Sequence, residues 1–232
     1  MKKTFAFYCK YIWDGWVREI IVMLAIMIPF RSSIADWYHV PTGSMKPSIL
    51  ECERVFVNKL AYDLKIPLTT WHLAEWGNPE RGDIVVFYSP ADQKRLVKRV
   101  IGLPGDVVEM RSNHLVINGQ SAEYLPLDPR FVTDLSAEER TGETFAVERY
   151  GNLDHPVMAI PSLPAKRSFG PITIPENSYL MLGDNRDNSA DSRFFGFVER
   201  GRIVGRTSTV VASFDPDNFY LPRWDRWFKR LP

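Results

Sequence analysis

The most apolar stretch of the chain is IIVMLAIMIPF at 20–30. Elsewhere apolar residues come in short runs that alternate with polar residues and are broken by Gly and Pro, the pattern of half-buried strands. It marks RVFVNK at 54–59, GDIVVFYSP at 82–90 and RLVKRVIGLPGD at 95–106. VVEMRSNHLVINGQ at 107–120 reads as two short strands turning near Ser112-Asn113, with a further turn at Asn118-Gly119. ITIPENSYLMLGDN at 172–185 and GRIVGRTSTVVASF at 201–214 are again strand-like, and Trp37–Val40 is extended. Residues 60–80 read as loop, and 121–170 as a polar, poorly periodic excursion over the surface. The tail PRWDRWFKRLP puts Trp224, Trp227, Phe228 and Leu231 at helical spacing. It is either a small helix docked on the domain or one lying on an anionic membrane surface. The expected fold is mainly β.

The run at 20–30 is too short to span a bilayer, which takes about 20 residues. Extended upstream to Tyr11 it reaches that length and takes in Asp14, Arg18 and Glu19, which lie near its start and can reach the headgroups. Trp13 and Trp16 suit an interfacial belt, and Lys2, Lys3 and Lys10 place the N-terminus in the cytoplasm. The expected division is a short cytoplasmic N-terminus at 1–10, one transmembrane helix at 11–35, an outward-facing β-rich domain at 36–214 containing the 121–170 excursion, and a tail at 215–232. Ser33-Ile34-Ala35 loosely resembles a cleavage site, so a removable signal peptide is the alternative.

Composition narrows the function classes. A net charge of +1 with no basic stripe argues against nucleic-acid binding. Cys9 and Cys52 flank the apolar segment and are expected to be free thiols on opposite sides of it. His39, His72, His114 and His155 are scattered with no metal-ligand spacing, so neither a metal nor a cofactor is expected.

Three segments can carry chemistry. In VPTGSMKPSI at 40–49, Pro41 and Gly43 set a tight approach to Ser44. Surface turns also look like this, and a serine needs a base. No histidine sits in a suitable motif. Lys98 lies in a strand beside Leu96, Val97, Val100 and Ile101. Burial there would lower its pKa and let it act as a base; the bland alternative is a solvated lysine paired with a carboxylate. In GDNRDNSADSRFFGFV at 183–198, Asp184, Asp187 and Asp191 can pair with Arg186 and Arg193, and a hydroxyl such as Ser189 can orient the lysine.

PTGSMKPSI at 41–49, RGDIVVF at 81–87, KRVIGLPGD at 98–106 and GDNRDNSADSRFFGFV at 183–198 together resemble the bacterial type I signal peptidases, a family of Ser/Lys proteases. The resemblance is strong over 36–57, 81–106 and 177–214 and weak over 121–170. It implies Ser44 as nucleophile, Lys98 as unprotonated base, Ser189 as the hydroxyl positioning the lysine, and the Ser44 N–H with the Thr42 hydroxyl as oxyanion donors. Many members have serine at the Thr42 position. Asp184, Asp191 and Arg193 would form the supporting network, and Tyr38, Val40, Met45, Leu96 and Val97 the pockets for small residues at −1 and −3. Lys46 and Ser48 are read as tolerant positions. The implied function is cleavage of signal peptides from exported preproteins through an acyl-enzyme. The implied location is the outer face of the bacterial cytoplasmic membrane, with preproteins, the lipid bilayer and the export translocon as partners. Rival readings are a Ser/Lys protease dedicated to one transfer-system substrate, a self-cleaving repressor, and a non-enzymatic membrane-anchored β domain; no DNA-binding domain accompanies the chain to favour the repressor.

Overall fold

The computed structural model describes residues 16–69 and 71–232. It opens with helix α1, Arg18–Ser33, of which only Ser33 is buried. Among the described residues no helix is long and apolar enough to cross a membrane. The start of the expected anchor and Cys9 lie outside the described residues. Cys52 is a free thiol.

Strands β1 (Ala35–Val40), β2 (Glu53–Asn58), β3 (Asp63–Lys65), β4 (His72–Glu75), β5 (Ile84–Tyr88) and β6 (Arg95–Gly102) follow. After them come β7 (Val107–Arg111), β8 (His114–Ile117), β9 (Gln120–Ser121), β10 (Glu123–Pro126), helix α2 (Ala137–Gly142), β11 (Thr144–Tyr150) and β12 (Leu153–Ala159). The chain continues through β13 (Phe169–Thr173), β14 (Ser178–Leu182), the short helix α3 (Ser192–Phe195), β15 (Val198–Glu199) and β16 (Ile203–Ala212). The fold is mainly β, as expected. A seven-stranded sheet in the order β1-β2-β16-β5-β6-β14-β15 forms its body. β6 is an inner strand between β5 and β14, and residues 97–102 are all buried. An inner strand covered on both faces reads as a continuous buried run rather than an alternation.

The turns follow their sequences. Ser112 and Asn113 both take positive φ between β7 and β8, and Asn118 and Gly119 do so between β8 and β9. Two left-handed residues in a two-residue loop match the twist of the strands they join.

Three expectations are corrected. Residues 60–80 contain the β3–β4 hairpin, whose strands of three and four residues are too short to show an apolar phase, with polar Asp63 as the buried position of β3. The 121–170 excursion contains a three-stranded antiparallel sheet, β10-β11-β12. Its alternation is hidden because the inward positions include charged or polar Glu148 and His155, both buried. The tail forms only one helical turn, Trp224–Arg226. It is docked by Arg226, buried against Glu53 and 3.0 Å from Asp134, and by Leu231, whose N–H donates to the Ser208 carbonyl. The buried arginine holds it together with Leu231, packed on a buried apolar cluster, and Trp227, edge-on to Phe214.

Candidate active site

Ser44 sits in a single 3-10 turn, Gly43–Met45, just past the end of β1. Its side chain faces β6, and the Lys98 amine donates a hydrogen bond to Ser44 Oγ. Both are buried, Ser44 at 8% and Lys98 at 2% exposure. Burial pushes the Lys98 pKa down to about 8. The Asp191 and Asp184 carboxylates push the other way, and the Arg193 charge assists the lowering. Desolvation wins because both carboxylates are already matched by guanidinium groups. The Thr42 hydroxyl lies on the exposed side of the turn, 3.4 Å from Ser44 Oγ.

The network beneath this pair is denser than expected, and its partners differ. Asp184 pairs with Arg99 rather than with Arg186 or Arg193: Arg99 Nε and one terminal nitrogen reach its two oxygens at 2.9 and 2.7 Å. The Ser48 hydroxyl donates to the same carboxylate. One buried carboxylate therefore ties the segment after the Ser44 turn to the strand that carries Lys98. Asp191 does pair with Arg193, through bonds of 2.8 and 2.7 Å. Burial alone would raise the Asp191 pKa; hydrogen bonds and charge from Arg193 hold it below the ordinary carboxylate range. Asp187 pairs with Arg167, and Arg186 with Glu148 of β11 at 2.6 and 2.7 Å. Arg99, Ser48 and Glu148 were missed as network members. The one available signal was an arginine among apolar neighbours in β6.

Ser189 lies at the site without the expected bond. Its hydroxyl is buried beside the Asp191 carboxylate, whose charged form it helps to stabilise. It packs against Gly183, where a Cβ would fall 2.3 Å from Ser189 Oγ and 2.5 Å from the Ser44 carbonyl. Only glycine lets these two segments approach so closely.

Of the expected pocket residues, Val40, Met45 and Val97 share one buried cluster with Tyr38 packed on it. The Tyr38 hydroxyl donates to the Arg95 carbonyl at 2.6 Å, joining β1 to β6. Leu96 packs instead against a different cluster that includes Phe87 and Tyr179. A cavity of about 1140 Å³ lies elsewhere, between α1 and side chains that include Lys59, Lys65, Leu68 and Trp71. His39 is exposed on β1, and no group of His, Cys, Asp and Glu among the described residues could hold a metal ion.

The family model of signal peptidase, peptidase S26, matches residues 13–212. Signal peptidase I of Pseudomonas fluorescens is 35% identical over 90% of this chain and 76% of that protein. Signal peptidase I of Pseudomonas aeruginosa is 32% identical over the same shares. Signal peptidase I P of Bacillus subtilis subsp. natto is 32% identical over 86% of this chain and 89% of its own length.

Proposed function

The chain belongs to the signal peptidase family, peptidase S26, serine proteases that cleave signal peptides, and from that premise we propose that Ser44 and Lys98 are its catalytic dyad. The observation carrying this reading is a lysine amine at 2% exposure in contact with a serine hydroxyl. A lysine with a pKa of about 8 has an appreciable neutral fraction near neutral pH, which a general base requires.

The reaction is two acyl transfers. Neutral Lys98 takes the Ser44 proton as Oγ bonds to the scissile carbonyl carbon, and the carbonyl electron pair moves onto oxygen. The Ser44 N–H and the Thr42 hydroxyl stabilise that oxyanion; losing one such donor commonly costs about 3 kcal/mol. Collapse breaks the C–N bond, and the Lys98 ammonium protonates the departing amine. Water then gives a proton to Lys98 and attacks the ester carbon, and Ser44 leaves with the proton returned by the lysine. In this reading the Ser189 hydroxyl accepts from Lys98 once the lysine is charged. Asp184, Asp191 and Arg193 keep these parts in register.

The preprotein lies extended beside β1, its small −1 and −3 side chains against Val40, Met45 and Val97, with Tyr38 and Leu96 at the margins. Residues 11–35 anchor the chain, and 36–232 work at the outer membrane surface near the translocon. In support, α1 exposes nearly its whole apolar surface.

Ser44→Ala and Lys98→Ala should each lower cleavage of a model preprotein in detergent at least about 1,000-fold while leaving the protein folded. For the wild type, kcat/KM should rise about tenfold per pH unit below 8 and level off above it, because the neutral amine is the active form. Retained cleavage by either variant removes the dyad assignment.

A further inference from the structure

The peptide between Gly43 and Ser44 has two ends with different fates. Its N–H is the oxyanion donor proposed above. Its carbonyl accepts two hydrogen bonds, from the Lys46 N–H at 3.1 Å and from the side-chain amide of Asn185 at 3.2 Å. The Asn185 main-chain N–H also donates to the Ser44 carbonyl at 3.2 Å, so one residue grips two consecutive carbonyls of the nucleophile turn.

The Asn185 amide cannot be turned round. Its Oδ1 accepts from the Asn188 N–H at 3.2 Å, so its NH2 end must face Gly43. The reverse orientation would set oxygen against oxygen there and N–H against N–H at Asn188. Asn185 is 1% exposed, so water does not compete for either end. The residues beside it are held as well. The Met158 N–H donates to the Asp184 carbonyl at 2.9 Å, and the Arg186 N–H donates back to the Met158 carbonyl at 2.8 Å. Thus β12 clamps the 184–186 segment from one side, and the segment clamps the nucleophile turn from the other.

We propose that Asn185 is a positioning residue for the oxyanion site, fixing and polarising the Gly43–Ser44 peptide so that the Ser44 N–H is a stronger, correctly aimed donor. A hydrogen bond accepted at a peptide carbonyl draws electron density toward oxygen and makes the N–H of the same peptide more acidic, and chained bonds in a low-dielectric interior strengthen one another. A donor fixed before reaction needs no reorganisation when charge develops. The same chain of contacts gives the β10–β12 sheet a task, that of holding the clamp. The inference rests on Ser44 being the nucleophile.

The tests are Asn185→Asp, which keeps the volume and the acceptor for Asn188 but turns the donor into an acceptor, and Asn185→Ala. Each should lower kcat, Asn185→Ala by about tenfold and Asn185→Asp by more, with KM within twofold of wild type. The rise of kcat/KM through pH 8 should stay in place, because Lys98 is untouched. A substrate-like peptide aldehyde adds to Ser44 and forms an oxyanion. Its affinity should fall by the same factor as kcat/KM. Wild-type kcat, a loss carried by KM, a displaced pH limb, or unchanged aldehyde affinity beside a lowered kcat would each overturn the assignment. So would loss of the folded state in both variants, since Asn185 would then be structural only. If Ser44→Ala still cleaves, the dyad itself fails; if it is inactive and the Asn185 variants are normal, only this inference fails.

Discussion

Where β1 begins, Trp37 is 50% exposed and its neighbour across the strand pair, Phe56, is 39% exposed, beside the apolar surface of α1. Past the other end of β1, roughly 20 Å along a six-residue strand, Arg99 and Asp191 are 0% exposed. One end leaves apolar groups in water, and the other takes charge out of it. The costs are settled differently. Buried charge must be matched within the chain, since an ion left alone in the interior costs several kcal/mol. Exposed apolar surface can be covered by something outside the chain. Substitutions at the charged end should therefore disturb folding and chemistry together, and substitutions at the apolar end should disturb association with little effect on folding.

The largest effect is expected at Arg99. Arg99→Ala leaves the buried Asp184 carboxylate with the Ser48 hydroxyl but no guanidinium, and should lower unfolding stability by about 3–5 kcal/mol in urea titrations. A change below 1 kcal/mol would mean that water reaches the pair and that the contrast between the two ends is weaker than drawn.

Lys98 should respond with the opposite sign. Its folded pKa, about 8, lies below the ordinary 10.5 because burial opposes the charge. Its contribution to stability is complete above 10.5 and is lost as pH falls toward 8, where the folded state must also take up the proton. Lys98→Met should abolish cleavage yet stabilise the fold at pH 7 by about 1–3 kcal/mol. Its advantage over wild type should shrink between pH 8 and 10.5. An advantage independent of pH would show that something other than desolvated charge is being relieved.

The two ends were unequally legible. The main strands and the turns at Ser112-Asn113 and Asn118-Gly119 could be read because hydropathy and turn chemistry agree there. Ser44 and Lys98 could be paired only through the resemblance of three separated segments, since neither carries a local signal strong enough alone. The partners of the charged network could not be read. Sequence shows that Asp184 and Arg186 are close along the chain, but β14 and β6 bring Asp184 to Arg99, and β11 brings Glu148 to Arg186. The β10–β12 sheet was hidden for the same reason, its inward positions being filled by charge that only tertiary contact explains. Asn185 could not be singled out, because its function depends on which backbone carbonyls it meets.

The smallest effect on stability, and a sharp one on association, is expected in the segment between β3 and β4. Leu68 is 78% exposed and also takes a left-handed φ of 63°. A bulky apolar side chain is poorly suited to both, while asparagine tolerates the conformation and the water. Leu68→Asn should therefore leave stability unchanged or raise it by a few tenths of a kcal/mol. Combined with Trp71→Ser, which removes a side chain 73% exposed, it should weaken binding to phospholipid vesicles by about tenfold or more. Cleavage of a soluble peptide should not change, because neither residue approaches Ser44. Unaltered vesicle binding would show that α1 alone supplies the attachment. A marked fall in stability would show that these two side chains are covered by the chain itself, and the division between an end closed within the chain and an end completed from outside would no longer hold there.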